Sequence, residues 1–170
     1  MRFAILSAVL FVAGAARADE VFGPIETNGE WTAMVHRPSQ LAPADMCMAG
    51  NAVNGLYFRV DALSNEIRVA DRTWSLPKGV AGSVVLSVGK LSMALPITGN
   101  SDQMVLAEVA VPDLVKLLDA MDLGSTMTVT VGKERPRQLS LAGSTKVTNA
   151  FRVCARLPGN APGAGNNPFK

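Results

Sequence analysis

Short runs in which apolar and polar residues alternate recur from Trp31 to Leu141, separated by turns rich in Gly, Asn, Asp and Pro. A period of two places successive side chains on opposite faces, so the pattern predicts antiparallel strands with one face buried. The clearest run is Thr126–Val131: Met127, Val129 and Val131 share one face and Thr126, Thr128 and Thr130 the other. Beyond a turn at residues 132–136, Leu139 and Leu141 resume the alternation, which predicts a hairpin. A second hairpin is expected from residues 83–88 and 91–95, joined by Gly89-Lys90, because Gly at the first central position suits a two-residue turn. A third pairs residues 56–61 with 67–71 across 62–66, and residues 31–36, 46–49 and 104–109 add further strands.

Two segments switch to helical spacing. Pro112 and Asp113 mark a start, Leu114, Leu117, Leu118 and Met121 follow at intervals of three and four, and Gly124 stands where a helix would end. In the second, Ser144 is read as the N-cap, Val147, Ala150, Phe151 and Cys154 as the buried face, and Pro158 as the stop. The fold class expected is therefore mainly β: a β-sandwich-like antiparallel domain with one internal helix and a C-terminal helix. No linker or repeat divides residues 19–157, which read as a single domain. Residues 19–28 read as a lead-in segment, and residues 158–170, poor in apolar side chains and rich in Gly, Asn and Pro, as a disordered tail.

The first 18 residues have a different character. Arg2 supplies a positive start, residues 3–15 carry no charge, and Ala16-Arg17-Ala18 offers small residues where a signal peptidase reads them. The apolar stretch is shorter than the roughly 20 residues of a permanent bilayer-crossing helix. A cleaved signal peptide over residues 1–18 is expected, and with it a periplasmic or secreted bacterial protein that keeps no transmembrane segment. Cleavage removes Arg2 and Arg17, leaving 14 of the 16 Lys and Arg against 14 Asp and Glu. The densest charge cluster, Lys133-Glu134-Arg135, is of mixed sign, so nothing resembles a stripe that tracks nucleic-acid phosphates. Export also places Cys47 and Cys154 where thiols are oxidised; they are not spaced as C-x-x-C, and one structural disulfide is expected.

Candidate chemistry is sparse. His36 is the only histidine, and neither a G-x-S-x-G elbow nor an H-E-x-x-H helix is present. Gly89-Lys90 and Gly132-Lys133 lack the remaining residues of a phosphate loop and read as turns. Asp61, Glu66, Asp71 and Glu108 lie on or beside predicted strands, where charge resists edge-to-edge association more often than it performs glycoside chemistry. Met34, His36, Met46 and Met48 gather soft ligands that copper(I) would accept, although thioethers also fill gaps in a β core. Trp31 and Trp74 are either core residues or stacking platforms for sugars. No catalytic, cofactor-binding or metal residue is assigned.

Three stretches carry a family resemblance: Asn28-Gly29-Glu30-Trp31-Thr32, Asp45-Met46-Cys47-Met48, and Leu141-Ala142-Gly143-Ser144 leading to Ala150-Phe151-Arg152-Val153-Cys154. Together, over residues 23–157, the chain resembles the invasion-associated locus B family. The resemblance implies an exported envelope protein, a β-rich single domain without established catalytic activity, and a role associated in some pathogens with invasion of host cells. The family often has a further cysteine shortly after the Trp; Met34, Val35 and His36 stand there instead. The expected function is a non-catalytic protein-interaction module whose partner is an unidentified envelope or extracellular protein. Its candidate contact loop is Gly132, Lys133, Glu134 and Arg135. The alternatives are a periplasmic inhibitor of a hydrolase and, less favoured by these residues, a copper-binding or carbohydrate-binding domain.

Overall fold

A computed structural model describes residues 20–159; the expected signal peptide, residues 1–18, and residues 160–170 of the expected tail lie outside the described residues. The elements in chain order are β1 (Val21–Asn28), β2 (Trp31–Arg37), β3 (Met46–Asn51), β4 (Leu56–Asp61), β5 (Asn65–Ala70), β6 (Ala81–Val88), β7 (Leu91–Ser101), β8 (Met104–Glu108), α1 (Val111–Leu123), β9 (Thr126–Val131), β10 (Arg137–Ser140) and α2 (Ser144–Ala155). All strands belong to one antiparallel ladder of order β1-β2-β3-β4-β5-β8-β7-β6-β9-β10.

The ladder turns a corner at β7. This strand pairs with β6 from Leu91 to Thr98, but it meets β8 only from Thr98 to Ser101, with a bulge between Gly99 and Ser101. A strand that changes partner through a bulge is how two β layers are joined. Pro96, which has no N–H to donate, falls in the part of β7 that β8 does not reach. The layers β1–β5 with β8 and β7-β6-β9-β10 then close on each other. Trp31 Nε1, from β2, donates to the Ser140 carbonyl of β10 (3.0 Å), and the Arg137 guanidinium reaches the Ala70 carbonyl at the end of β5 (3.4 Å).

Register makes one face continuous. Val35 opposes Cys47, Ala49 opposes Phe58, Phe58 opposes Ile67, Ile67 opposes Ala107, Leu86 opposes Val129 and Met127 opposes Leu139, and nearly all of these are buried. Both helices bury their apolar stripes against this face: Leu114, Leu117, Leu118 and Met121 from α1, and Val147 and Phe151 from α2. Helix α2 lies across β1, β2 and β3, and α1 packs on α2 and β6. Phe58 and Phe151 stack in a tilted pair with ring centroids 6.4 Å apart.

The three expected hairpins form, and the two helical segments form where the spacing predicts. The differences have identifiable causes. Residues 21–28 form an edge strand rather than a lead-in, because Pro24 and a bulge at Ile25 interrupt the period on which recognition depends. The third hairpin turns earlier, at residues 62–64, because Asp61 Oδ1 accepts from the backbone N–H groups of Leu63 and Ser64, both at 2.8 Å. Ser144 is not the N-cap: Gly143 takes that position with φ +87°, and Ser144 is buried as the first helical residue. A Cβ at Gly143 would stand 2.6 Å from the Asn28 carbonyl oxygen, so only glycine lets α2 start this close to the end of β1. Helix α2 ends before Pro158, where Arg156 adopts a left-handed conformation and its N–H contacts the Arg152 and Val153 carbonyls.

Cys47 and Cys154 are joined, with Cα atoms 5.9 Å apart across 107 residues of sequence. Two residues before Cys154, on the opposite side of α2, Arg152 is 4% exposed and faces α1. Its Nη2 donates to Asp119 Oδ1 (2.8 Å) and Asp122 Oδ2 (3.4 Å), and its Nη1 to the Pro158 carbonyl (3.1 Å). Thr148 Oγ1 donates to Asp122 Oδ1 at 2.7 Å, so two of the three buried polar residues of α2, Thr148 and Arg152, are met by acids of α1.

Two stability measurements follow. Replacing both cysteines by alanine is expected to lower the unfolding free energy in urea by about 4–5 kcal/mol, the chain-entropy value for a loop of roughly one hundred residues. An Arg152→Ala variant is expected to lose roughly 2–3 kcal/mol, because a buried donor set disappears while Asp119 and Asp122 keep partial access to water. A loss below half a unit would show that the α1–α2 contact is held by apolar packing alone.

Candidate functional site

The bulge in β1 borders a hollow on the surface of the molecule. Pro24 pairs with Met34 and Glu26 with Ala33, so Ile25 is the extra residue, and the Glu26 side chain is turned to the inner face that faces α2. Between β1, β2, the 43–44 loop and α2 lies a groove of about 670 Å³, in the range of ligand and peptide sites. Val35, Pro43, Ala44, Ala150 and Val153 supply apolar wall, and the Cys154 half of the disulfide lines it as well. Ala150 and Cys154, expected on the buried face of α2, are only half-buried because they border this groove. Val153 is 73% exposed, and Leu41, in the loop that brings Pro43 and Ala44, is 99% exposed.

Charge in the groove is one-sided. Arg37, Lys146 and Arg156 line it against a single carboxylate, Glu26, and none of the three cations forms an ion pair among the described residues. Arg37 Nε is shielded from solvent and has no hydrogen-bond partner. Elsewhere on the molecule Arg59 meets Asp61 and Glu66, Arg68 meets Glu66 and Arg137 meets Asp71, while Arg72, Lys78, Lys90, Lys133 and Arg135, like the groove cations, form no ion pair among the described residues.

A second, polar hollow of about 430 Å³ is lined by Asn54, Tyr57, Asp71, Arg72 and Arg137, among others. Beside it Trp74 is consumed by internal contacts: its Nε1 donates to Glu134 Oε1, and the Arg137 guanidinium carbon lies 5.4 Å from its ring centroid. Trp31 is fully buried in the core and offers no stacking face, whereas Trp74 is half-buried. The 132–135 turn is exposed; Gly132 has φ +54°, Lys133 and Arg135 point to solvent, and Glu134 anchors the turn to Trp74.

Register also brings the soft ligands together. Met34 opposes Met48 and His36 opposes Met46, and both pairs stand on the outer face of β2 and β3. Two of the four have their donor atoms engaged. Arg59 Nε donates to Met46 Sδ, placing a cation beside the thioether, and both His36 ring nitrogens lie 2.6 Å from carboxylates, Nδ1 from Asp45 and Nε2 from Glu20. No cluster of three or more His, Cys, Asp and Glu suited to a metal ion occurs among the described residues.

Among the carboxylates, Glu66 and Glu108 oppose each other across β5 and β8. Burial works to raise the pKa of both Asp61 and Glu66, yet hydrogen bonds and nearby guanidinium groups prevail and hold both below the ordinary range. Asp71 is lowered too, chiefly by the Thr73 hydroxyl and N–H. A glycosidase acid needs the opposite shift, so these three groups serve as ionised anchors. Sequence reasoning missed Arg37, because a lone Arg at a strand end carries no local signal of the groove it will line.

His36 is the titratable group with a usable sign. Its pKa is raised above 6.5 by hydrogen bonds to Asp45 and Glu20, and carboxylates on both nitrogens require the imidazolium, which donates twice. Because the folded pKa exceeds the unfolded one, the tie between β2, Asp45 and the start of β1 is fully present below pH 6.5 and fades as pH rises through the folded value. Proton NMR of the His36 ring is expected to give a midpoint above 6.5 in the wild type and a lower one in Asp45→Asn. Equal midpoints would show that the clamp does not persist in solution.

Compared with known proteins, the chain matches no family model, no curated protein and no solved structure.

Proposed function

We propose that this protein is a non-catalytic binding module of the bacterial periplasm or secreted fraction that works by protein contact. The observation that carries the reading is the groove between α2 and β1–β2: an apolar trough backed by a disulfide and bordered by cations without acidic partners. Rigid walls lower the ordering cost of association, and exposed apolar side chains such as Val153 and Leu41 supply contact area. Extracytoplasmic location is supported by the composition of residues 1–18 and by the disulfide, a bond that persists in oxidising compartments. No helix among the described residues is long and apolar enough to cross a membrane. The resemblance to the invasion-associated locus B family adds an envelope-associated, host-facing role to the proposal. Of the residues that carry it, Cys47 and Cys154 form the bond and Trp31 lies in the core.

A second reading, inhibition of a hydrolase, is favoured by the anchored 132–135 turn, since a rigid projecting loop is what an active-site cleft accepts. Affinity capture from periplasmic and envelope extract separates the two, using wild type, Val153→Asp and Lys133→Ala/Arg135→Ala proteins. One stoichiometric partner retained by the wild type and lost with Val153→Asp is expected. A hydrolase lost only with the turn variant would select the inhibitor reading, and no enriched protein in any fraction would overturn the contact model.

A further inference from the structure

The chemistry of the groove narrows what it binds. We infer that its occupant is an acidic, apolar-anchored segment of a protein partner, with an apolar side chain seated against Val35, Ala150 and Val153 and carboxylates meeting Arg37, Lys146 and Arg156. This inference rests on the binding-module reading above and specifies the partner of that same site.

Three observations carry it. The first is charge. Three cations, none with an ion-pair partner among the described residues, are gathered in one groove against a single carboxylate. Complementary potential across an interface raises association rates and excludes partners of the wrong sign, so the surplus selects an anionic occupant. The second is the unsatisfied Arg37 Nε. Arg137 Nη2 and Arg152 Nε are likewise shielded and unpartnered among the described residues, but Arg37 is the one of the three that lines this groove, where an arriving carboxylate would supply the acceptor with a charge-assisted bond.

The third is shape. Small amphiphiles need to bury most of their surface, but Val153, on the wall of this groove, is itself 73% exposed and Ile25 is 41% exposed. An acyl chain laid here would stay largely wet. A protein segment would not, because its own body covers the rim and dries the apolar centre, which is how protein interfaces concentrate their energy. The disulfide fixes α2 relative to β3, so the trough is formed before the partner arrives.

The test is selection of a random peptide display library on the protein produced in an oxidising compartment, followed by affinity measurements with the recovered peptides. Peptides pairing Asp or Glu with Leu, Ile or Phe are expected. Their affinity should fall by roughly tenfold or more in Lys146→Glu/Arg156→Glu, and it should weaken as salt rises. Reversing the peptide acids to Lys should restore binding to that variant, a rescue that a general folding defect would not give; an unchanged Tm adds the same control. Val153→Asp should weaken binding while Lys133→Glu should not. Peptides without acidic enrichment, or acidic peptides indifferent to both groove variants, would overturn the inference. If binding were then lost with Lys133→Glu, the interaction reading would survive at the 132–135 turn, and failure of the capture experiment would remove that reading separately.

Discussion

Helix α2 is held from two sides, and the rest of the architecture depends on that clamp. On one side the Cys47–Cys154 bond fastens it to β3, and Phe151 packs on Phe58 beneath it. On the other, Arg152 and Thr148 meet Asp119 and Asp122 of α1. The helix therefore ties a covalent contact in the first layer to a charged contact with the helix that follows β8. Without it the inner faces of β1, β2 and β3 would lose their cover, and the edge strand β1, interrupted by Pro24 and a bulge, would be held by its ladder with β2 alone. A marginally stable domain distributes such a constraint widely, because a few kcal/mol is a large share of its total stability.

The same clamp creates the candidate site. One wall of the groove is the face of α2 that carries Ala150, Val153 and Cys154, and the other is the end of β1 and β2. Charges in the molecule fall into two populations. On the outer face of β4 and β5, Arg59, Arg68, Asp61 and Glu66 satisfy one another and keep both acids ionised. Along the groove, Arg37, Lys146 and Arg156 are left without such partners. Unpaired cations also occur on other exposed segments, and what sets the groove apart is that three of them gather beside apolar wall against one carboxylate.

Several of the residues that could have carried chemistry are tied into internal contacts, among them Asp61, Glu66, Asp71, Met46, His36 and both tryptophans. Trp31 closes the two layers through Ser140, and Trp74 steadies the 132–135 turn through Glu134. Met34, Met46, Met48 and His36 do share a face, yet Arg59 and two carboxylates occupy Met46 and His36. Functional interest therefore moves to surfaces that internal bonding leaves incomplete.

Sequence by itself determined the local elements. Alternation marked the hairpins at residues 83–95 and 126–141, three- and four-residue spacing marked the helices, and two cysteines in an exported chain were enough to expect the bond between Cys47 and Cys154. These are readable because periodicity and pairing by elimination need no knowledge of what lies across the core. Tertiary structure alone decided the strand order, the corner at β7, the buried role of Arg152, and the meeting of Arg37 with Lys146 and Arg156. Arg37 and Lys146 stand more than a hundred residues apart, and no local signal distinguishes a cation that will meet an acid from one that will not. That distinction depends on which distant segments the closed sheet brings together, and it is the distinction on which the proposed site rests.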